Sequence, residues 1–125
     1  MERAPDAFRN RIEDAIERDD AAELADLALE VGLVAEPLEW AQSCCVQFSR
    51  HHDAGVRAGA VSALGHLARR FGHLDPGRVR RLVQVALFDP SPLVRERAAD
   101  AADDLFTFLG WQFERPDTDA TQSKR

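Results

Sequence analysis

Cys44-Cys45 and the run His51-His52-Asp53 carry the residue types most often found at reactive centres. Three potential ligands in succession on a turn point in different directions, and no fourth ligand lies at a spacing that completes a zinc set. The expectation for His51-His52-Asp53 is a solvated turn, with Asp53 capping the helix that follows. Adjacent cysteines inside an apolar stretch pack as small hydrophobes, and two cysteines build no disulfide framework. No glycine-rich phosphate loop, nucleophile elbow or paired helical histidine motif occurs in the chain. The sequence therefore assigns no catalytic residue, metal or cofactor. The chain is expected to be no enzyme and to act through its surface.

That surface is unevenly charged. Residues 1–35 hold ten acids and four arginines, residues 36–81 four acids and seven arginines, and residues 82–110 five acids and two arginines, within a net charge of −6. An acidic chain is a poor default ligand for phosphate backbones, so nucleic acid is not the expected partner. The cluster Arg69, Arg70, Arg78, Arg80 and Arg81 around Gly72-His73-Leu74 does not alter this expectation. Glu96, Asp100 and Asp103 recur at i, i+4 and i+7 and, with Asp104, form an acidic row on the outward side of one helix; at similar places another helix has Ala58, Ser62 and Gly65, followed by His66 and Arg69. Glu96, Asp100, Asp103, Asp104, His66 and Arg69 are the candidate protein-binding surface, and Asp100 and Asp104 are expected to tolerate charge reversal without loss of fold.

The elements that must position this surface are helices, because no segment alternates at a period of two. Asp6 is expected to cap a helix to about Arg18. Asp19-Asp20 caps a second one, which Gly32 ends in the left-handed manner. Pro37 opens a third, and Asp53 caps a fourth that Gly72 stops. Asp75-Pro76 starts a fifth, and Ser91-Pro92 a sixth that runs to about Leu109 before Gly110. The fourth and sixth are copies at a spacing of 38 residues: Val56 matches Val94, Arg57 Arg95, Ala60 Ala98, Ala63 Ala101 and Leu67 Leu105. Such a period signals a repeat architecture. The buried stripe it predicts is Val56, Ala60, Ala63, Leu64, Leu67 and its copy Val94, Ala98, Ala101, Ala102, Leu105. Arg57 and Arg95, one step after the buried Val, are expected to be structural. The helical domain is placed at residues 1–112 and a flexible polar tail at 113–125. No apolar run approaches the length of a membrane span, and the N-terminus lacks the pattern of a signal peptide, so a cytoplasmic chain with no membrane partner is expected.

The pattern D/S-x-x-V-R-x-x-A-x-x-A-L/A-x-x-L resembles the second helix of a HEAT repeat. That resemblance implies an all-α fold, an α-solenoid of three antiparallel helical hairpins, whose second helices generally line a concave side and whose arginine, here Arg57 and Arg95, pairs with a loop acid, for which Asp53 and Asp89 are the candidates. Ala63-Leu64-Gly65-His66-Leu67-Ala68-Arg69-Arg70-Phe71-Gly72, with Ala101-Ala102-Asp103-Asp104-Leu105 and Phe108-Leu109-Gly110-Trp111, is further similar to small HEAT-type immunity proteins of bacterial polymorphic and contact-dependent toxin systems. This second likeness covers roughly residues 40–111. It implies a protein that binds a cognate toxin, a basic one such as a nuclease, and blocks its active site. The alternative is a general scaffold or adaptor, including one resembling bilin-lyase-type subunits. HEAT-like DNA glycosylases share the architecture, but they present a broad basic groove that this acidic chain lacks.

Overall fold

The computed structural model describes residues 4–116, which form six α-helices and no strand: α1 (Ala4–Arg18), α2 (Ala21–Val34), α3 (Leu38–Phe48), α4 (Ala54–Phe71), α5 (Pro76–Ala86) and α6 (Pro92–Leu109). The boundaries follow the capping chemistry. The Asp20 carboxylate accepts the Glu23 N–H, Asp53 the Val56 N–H, Asp75 the Gly77 N–H and the Ser91 hydroxyl the Val94 N–H. Gly72 and Gly110 close α4 and α6 at φ 76° and 74°, conformations that only glycine adopts without strain. The 38-residue period thus extends to the caps at both ends of the two helices. α1 starts at Ala4, two residues ahead of the expected Asp6 cap.

α4 is the central element. It packs against α2 on one side and α6 on the other, while α3 and α5 also contact it; α1 lies on α2 and α5 on α6. The predicted stripe is buried in both copies, from Val56 to Leu67 and from Val94 to Leu105. Its small residues let the helices approach closely. Gly32 shows how close. Contrary to the sequence expectation it does not end α2, which continues to Val34; it lies inside the helix, where an added Cβ would sit 2.5 Å from the Ala63 Cα. The end of α2 is finished by Arg70 instead, whose guanidinium donates to the carbonyls of Gly32 (2.9 Å) and Ala35 (3.0 Å).

Gly32→Ala therefore sets two effects against each other. Helix propensity favours alanine by about 1 kcal/mol, but the methyl meets α4 backbone that no rotamer change can move. Overpacking of this kind costs about 1–3 kcal/mol. A lower melting temperature is expected, and a higher one would show that α2 can slide on α4.

Arg57 links three segments. Its guanidinium donates to both Asp89 oxygens (3.0 Å each) and to the carbonyls of His51 (3.0 Å) and His52 (2.8 Å). Arg95 repeats the carbonyl half of this pattern, donating to Asp89 O (2.8 Å) and Pro90 O (3.1 Å). Among the described residues no acid pairs with Arg95, and Asp53 serves as a cap. Beyond Gly110 the chain stays on the body as far as residue 116. Arg80 stacks over Phe113 and donates to Gln112 O, and Gln84 exchanges hydrogen bonds with the Glu114 backbone (3.0 and 3.1 Å). The tail expected from 113 onward thus begins with four docked residues, and the remainder lies outside the described residues.

Candidate functional site

The acidic row of α6 is built on one helix but does not serve one surface. Stepping back 38 residues from Glu96 and Asp103 lands on Ala58 and Gly65 of α4, both buried, and Gly65 lies directly against α6. Glu96 and Asp103 hold the same helical positions on α6, where no further described helix covers them, and both are exposed. Asp100 and Asp104 correspond to Ser62 and His66, on the side of α4 that runs past its contacts with α2 and α6. The row therefore splits into two pairs facing different ways.

Most of these charges are already engaged. Asp103 takes Arg115 at 3.0 Å, and Glu96 has Arg97 at 3.6 Å. Asp104 pairs with Arg69 at 3.5 Å, and its carboxylate lies 2.9 Å from where a Gly65 Cβ would stand. At that half-buried place a lysine would lose the Arg69 pair and turn away from α4, so of Asp100 and Asp104 it is Asp104 that is the less tolerant of charge reversal. Asp100 is exposed and has no ion pair among the described residues. Arg69 also stacks on Phe108 at 5.6 Å, so Arg69, Asp104 and Phe108 gather where α4 and α6 meet, while His66 is half-buried on α4.

α2 contributes residues that the sequence reading left out. Ala25, Ala28 and Gly32 face α4. The positions about a quarter-turn further round, Leu29 and Leu33, are 38% and 50% exposed. They continue the same side of the α2–α4–α6 row as Ser62, His66 and Asp100. The available signal was the pair of leucines at i and i+4, one step round from the buried stripe.

The sequence-level reactive groups are positioned by different needs. Cys44 and Cys45 are buried; burial pushes the Cys44 thiol up to about 11, with Arg9 pulling weakly the other way, and raises Cys45 further. Both are thiols at neutral pH, which makes them poor nucleophiles. His51 is not on a solvated turn. Its ring is largely covered, stacks on His52 at 4.3 Å, and accepts the Asp53 N–H on Nδ1 at 3.0 Å. The α1–α2 turn brings Asp19, at φ 51°, to 3.4 Å from His51 Nε2, which groups Asp19, His51 and His52 within metal-ligating range. His51 thus takes part in the turn that ends in the Asp53 cap, and its ring lies beside the α1–α2 turn.

The arginine cluster also disperses. Arg70 holds the end of α2, Arg69 goes to Asp104, Arg80 covers Trp111 and Phe113, and Arg78 donates to Ser43 Oγ at 2.8 Å. No helix of the described residues is long and apolar enough to cross a membrane. Comparison with protein-family models, curated proteins and solved structures finds no match.

Proposed function

We propose that the chain is a protein-binding module, a HEAT-like α-solenoid of three antiparallel helical hairpins, that acts as an immunity-type inhibitor by covering the active site of a basic toxin domain. The observation that supports this reading is the face shared by α2, α4 and α6. It presents Leu29 and Leu33 together with His66, Arg69 and Asp100, which has no ion pair among the described residues. Exposed apolar side chains on α2 lie alongside charged ones on α4 and α6, and such a mixture of apolar and charged groups is the composition of a docking surface. A stable interface of roughly 1,600 Å² needs about 20–30 residues a side, which three second helices of this length can supply. Asp100 would steer a basic partner, and the leucines would hold it.

The test pairs a toxin domain encoded beside this gene with the purified chain and with Leu33→Asp/Asp100→Lys. Both positions are exposed, so the melting curve should not change. Affinity should fall at least tenfold, about 1.4 kcal/mol, and a challenged strain expressing the variant should lose protection. Unchanged protection by the folded variant removes this face from the interface. Failure of the wild type to bind any such domain removes the immunity reading and leaves the adaptor reading.

A further inference from the structure

A groove of about 370 Å³ opens between α3 and α5, away from the α2–α4–α6 face. Val46, Val61, Leu82 and Val85 give it an apolar floor, and Arg50, Arg78 and Arg81 stand at its rim. The one carboxylate lining it, Asp89, is fully engaged by Arg57. Arg50 and Arg81 form no ion pair among the described residues, and Arg78 meets only a neutral hydroxyl. Three exposed guanidinium groups around an apolar trough lack both a counter-charge and a cover. The residues come from three separate segments, which hid the groove from a sequence reading.

The complementary surface occurs on the same molecule. On the exposed side of α1, Glu13, Ile16 and Glu17 form one ridge at i, i+3 and i+4, with Ile16 on the flank next to the buried Ile12 and the two glutamates further round. Ile16 is exposed, and neither glutamate has an ion pair among the described residues; the neighbouring acids Asp14, Asp20 and Glu23 are all drawn to Arg18. An apolar side chain flanked on one side by two carboxylates is the counterpart of an apolar trough with guanidiniums at its rim. We infer that α1 of one copy docks in the α3–α5 groove of a second copy, with Ile16 on the Val46–Leu82–Val85 floor and Glu13 and Glu17 on the rim arginines.

The contact joins two different surfaces, so it is heterologous and links copies head to tail unless each groove accepts the other's α1 reciprocally. Its charges are solvent-exposed, so the association is weak and salt-dependent. It leaves the α2–α4–α6 face free and does not rest on the toxin reading.

Sedimentation velocity on the full chain at low and high ionic strength tests it. The weight-average mass should rise above that of the monomer at low salt and return to it at high salt. Arg78→Glu/Arg81→Glu and Glu13→Arg/Glu17→Arg, all at exposed positions, should each be monomeric at low salt. Mixing the two variants should restore the associated species, because each then offers the half that the other lacks. Circular dichroism melting of each variant checks that loss of association is not loss of fold. A wild type that stays monomeric at low salt overturns the inference. So does association that survives either charge reversal, or variants that fail to recombine.

Discussion

Leu64→Ala should cost about 2–5 kcal/mol, in the upper half of that range, a substantial part of the roughly 5–15 kcal/mol that holds a domain of this size together. Leu64 is fully buried on α4, the helix that touches α2, α3, α5 and α6. The cost depends on whether neighbours can collapse into the space. Much of the surrounding stripe is alanine: Ala60, Ala63 and Ala68 on α4, and Ala98, Ala101 and Ala102 on α6. Alanine has no rotamer to swing into a void, so the cavity persists and the loss approaches that of an unrelaxed site. Urea unfolding of the variant should show a lower midpoint at an unchanged slope. Leu93→Ala, at a partly exposed position on α6, is the control and should change stability by well under half as much. A small loss at Leu64 would mean that the α2–α4–α6 contacts are loose enough to close around the deletion.

The density of small residues that raises this cost also made the fold readable. Val56, Ala60, Ala63 and Leu67 recur 38 residues later because both helices meet neighbours in the same way, and even the caps Asp53/Ser91 and the closing glycines Gly72/Gly110 keep the period. α2 escaped the pattern because it reaches α4 through Ala25, Ala28 and Gly32 and lacks the Val-Arg pair. Gly32 was misread because a glycine near a helix end signals a cap locally, whereas here its role is set by Ala63, which lies 31 positions away in sequence. The acidic row illustrates a different limit. Spacing on one helix gives a common stripe, but the use of each position depends on which neighbour covers it. The match of Glu96 with Ala58 and Asp103 with Gly65 is legible in the sequence, but the burial of Ala58 and Gly65, which sets them apart from Ser62 and His66, is fixed only by the packing of α4. The α3–α5 groove had no comparable signal, since Arg50 and Arg81 become neighbours only after folding.

Arg57→Leu should destabilise the chain by about 3 kcal/mol, near the lower end for breaking a covered ion pair by removing one partner. Arg57 and Asp89 retain only 20% and 10% of their side-chain exposure, so the variant strands a carboxylate that water reaches poorly and frees the His51 and His52 carbonyls. Asp89→Asn weakens the same pair from the other side, and a double-mutant cycle should give a coupling of about 1–3 kcal/mol. The pH dependence identifies the charge as the source. Burial alone would raise the Asp89 carboxyl, but hydrogen bonds from Arg57 and the Ser91 N–H, with the charges of Arg57 and Arg95, outweigh it and hold the group below the usual carboxylate range. A carboxyl whose folded-state pKa is depressed contributes stability that is complete above its unfolded value of about 3.9 and disappears as pH falls through the folded value. The stability gap between wild type and Asp89→Asn should therefore be constant from neutral pH to about 4 and narrow below it. Arg95→Leu is the internal comparison: it removes two carbonyl hydrogen bonds but no acid partner, and should cost less than Arg57→Leu. Equal costs at the two arginines would place the stabilisation in the pair of loop-carbonyl bonds that each of them makes, and the Asp89 bridge would then contribute nothing of its own.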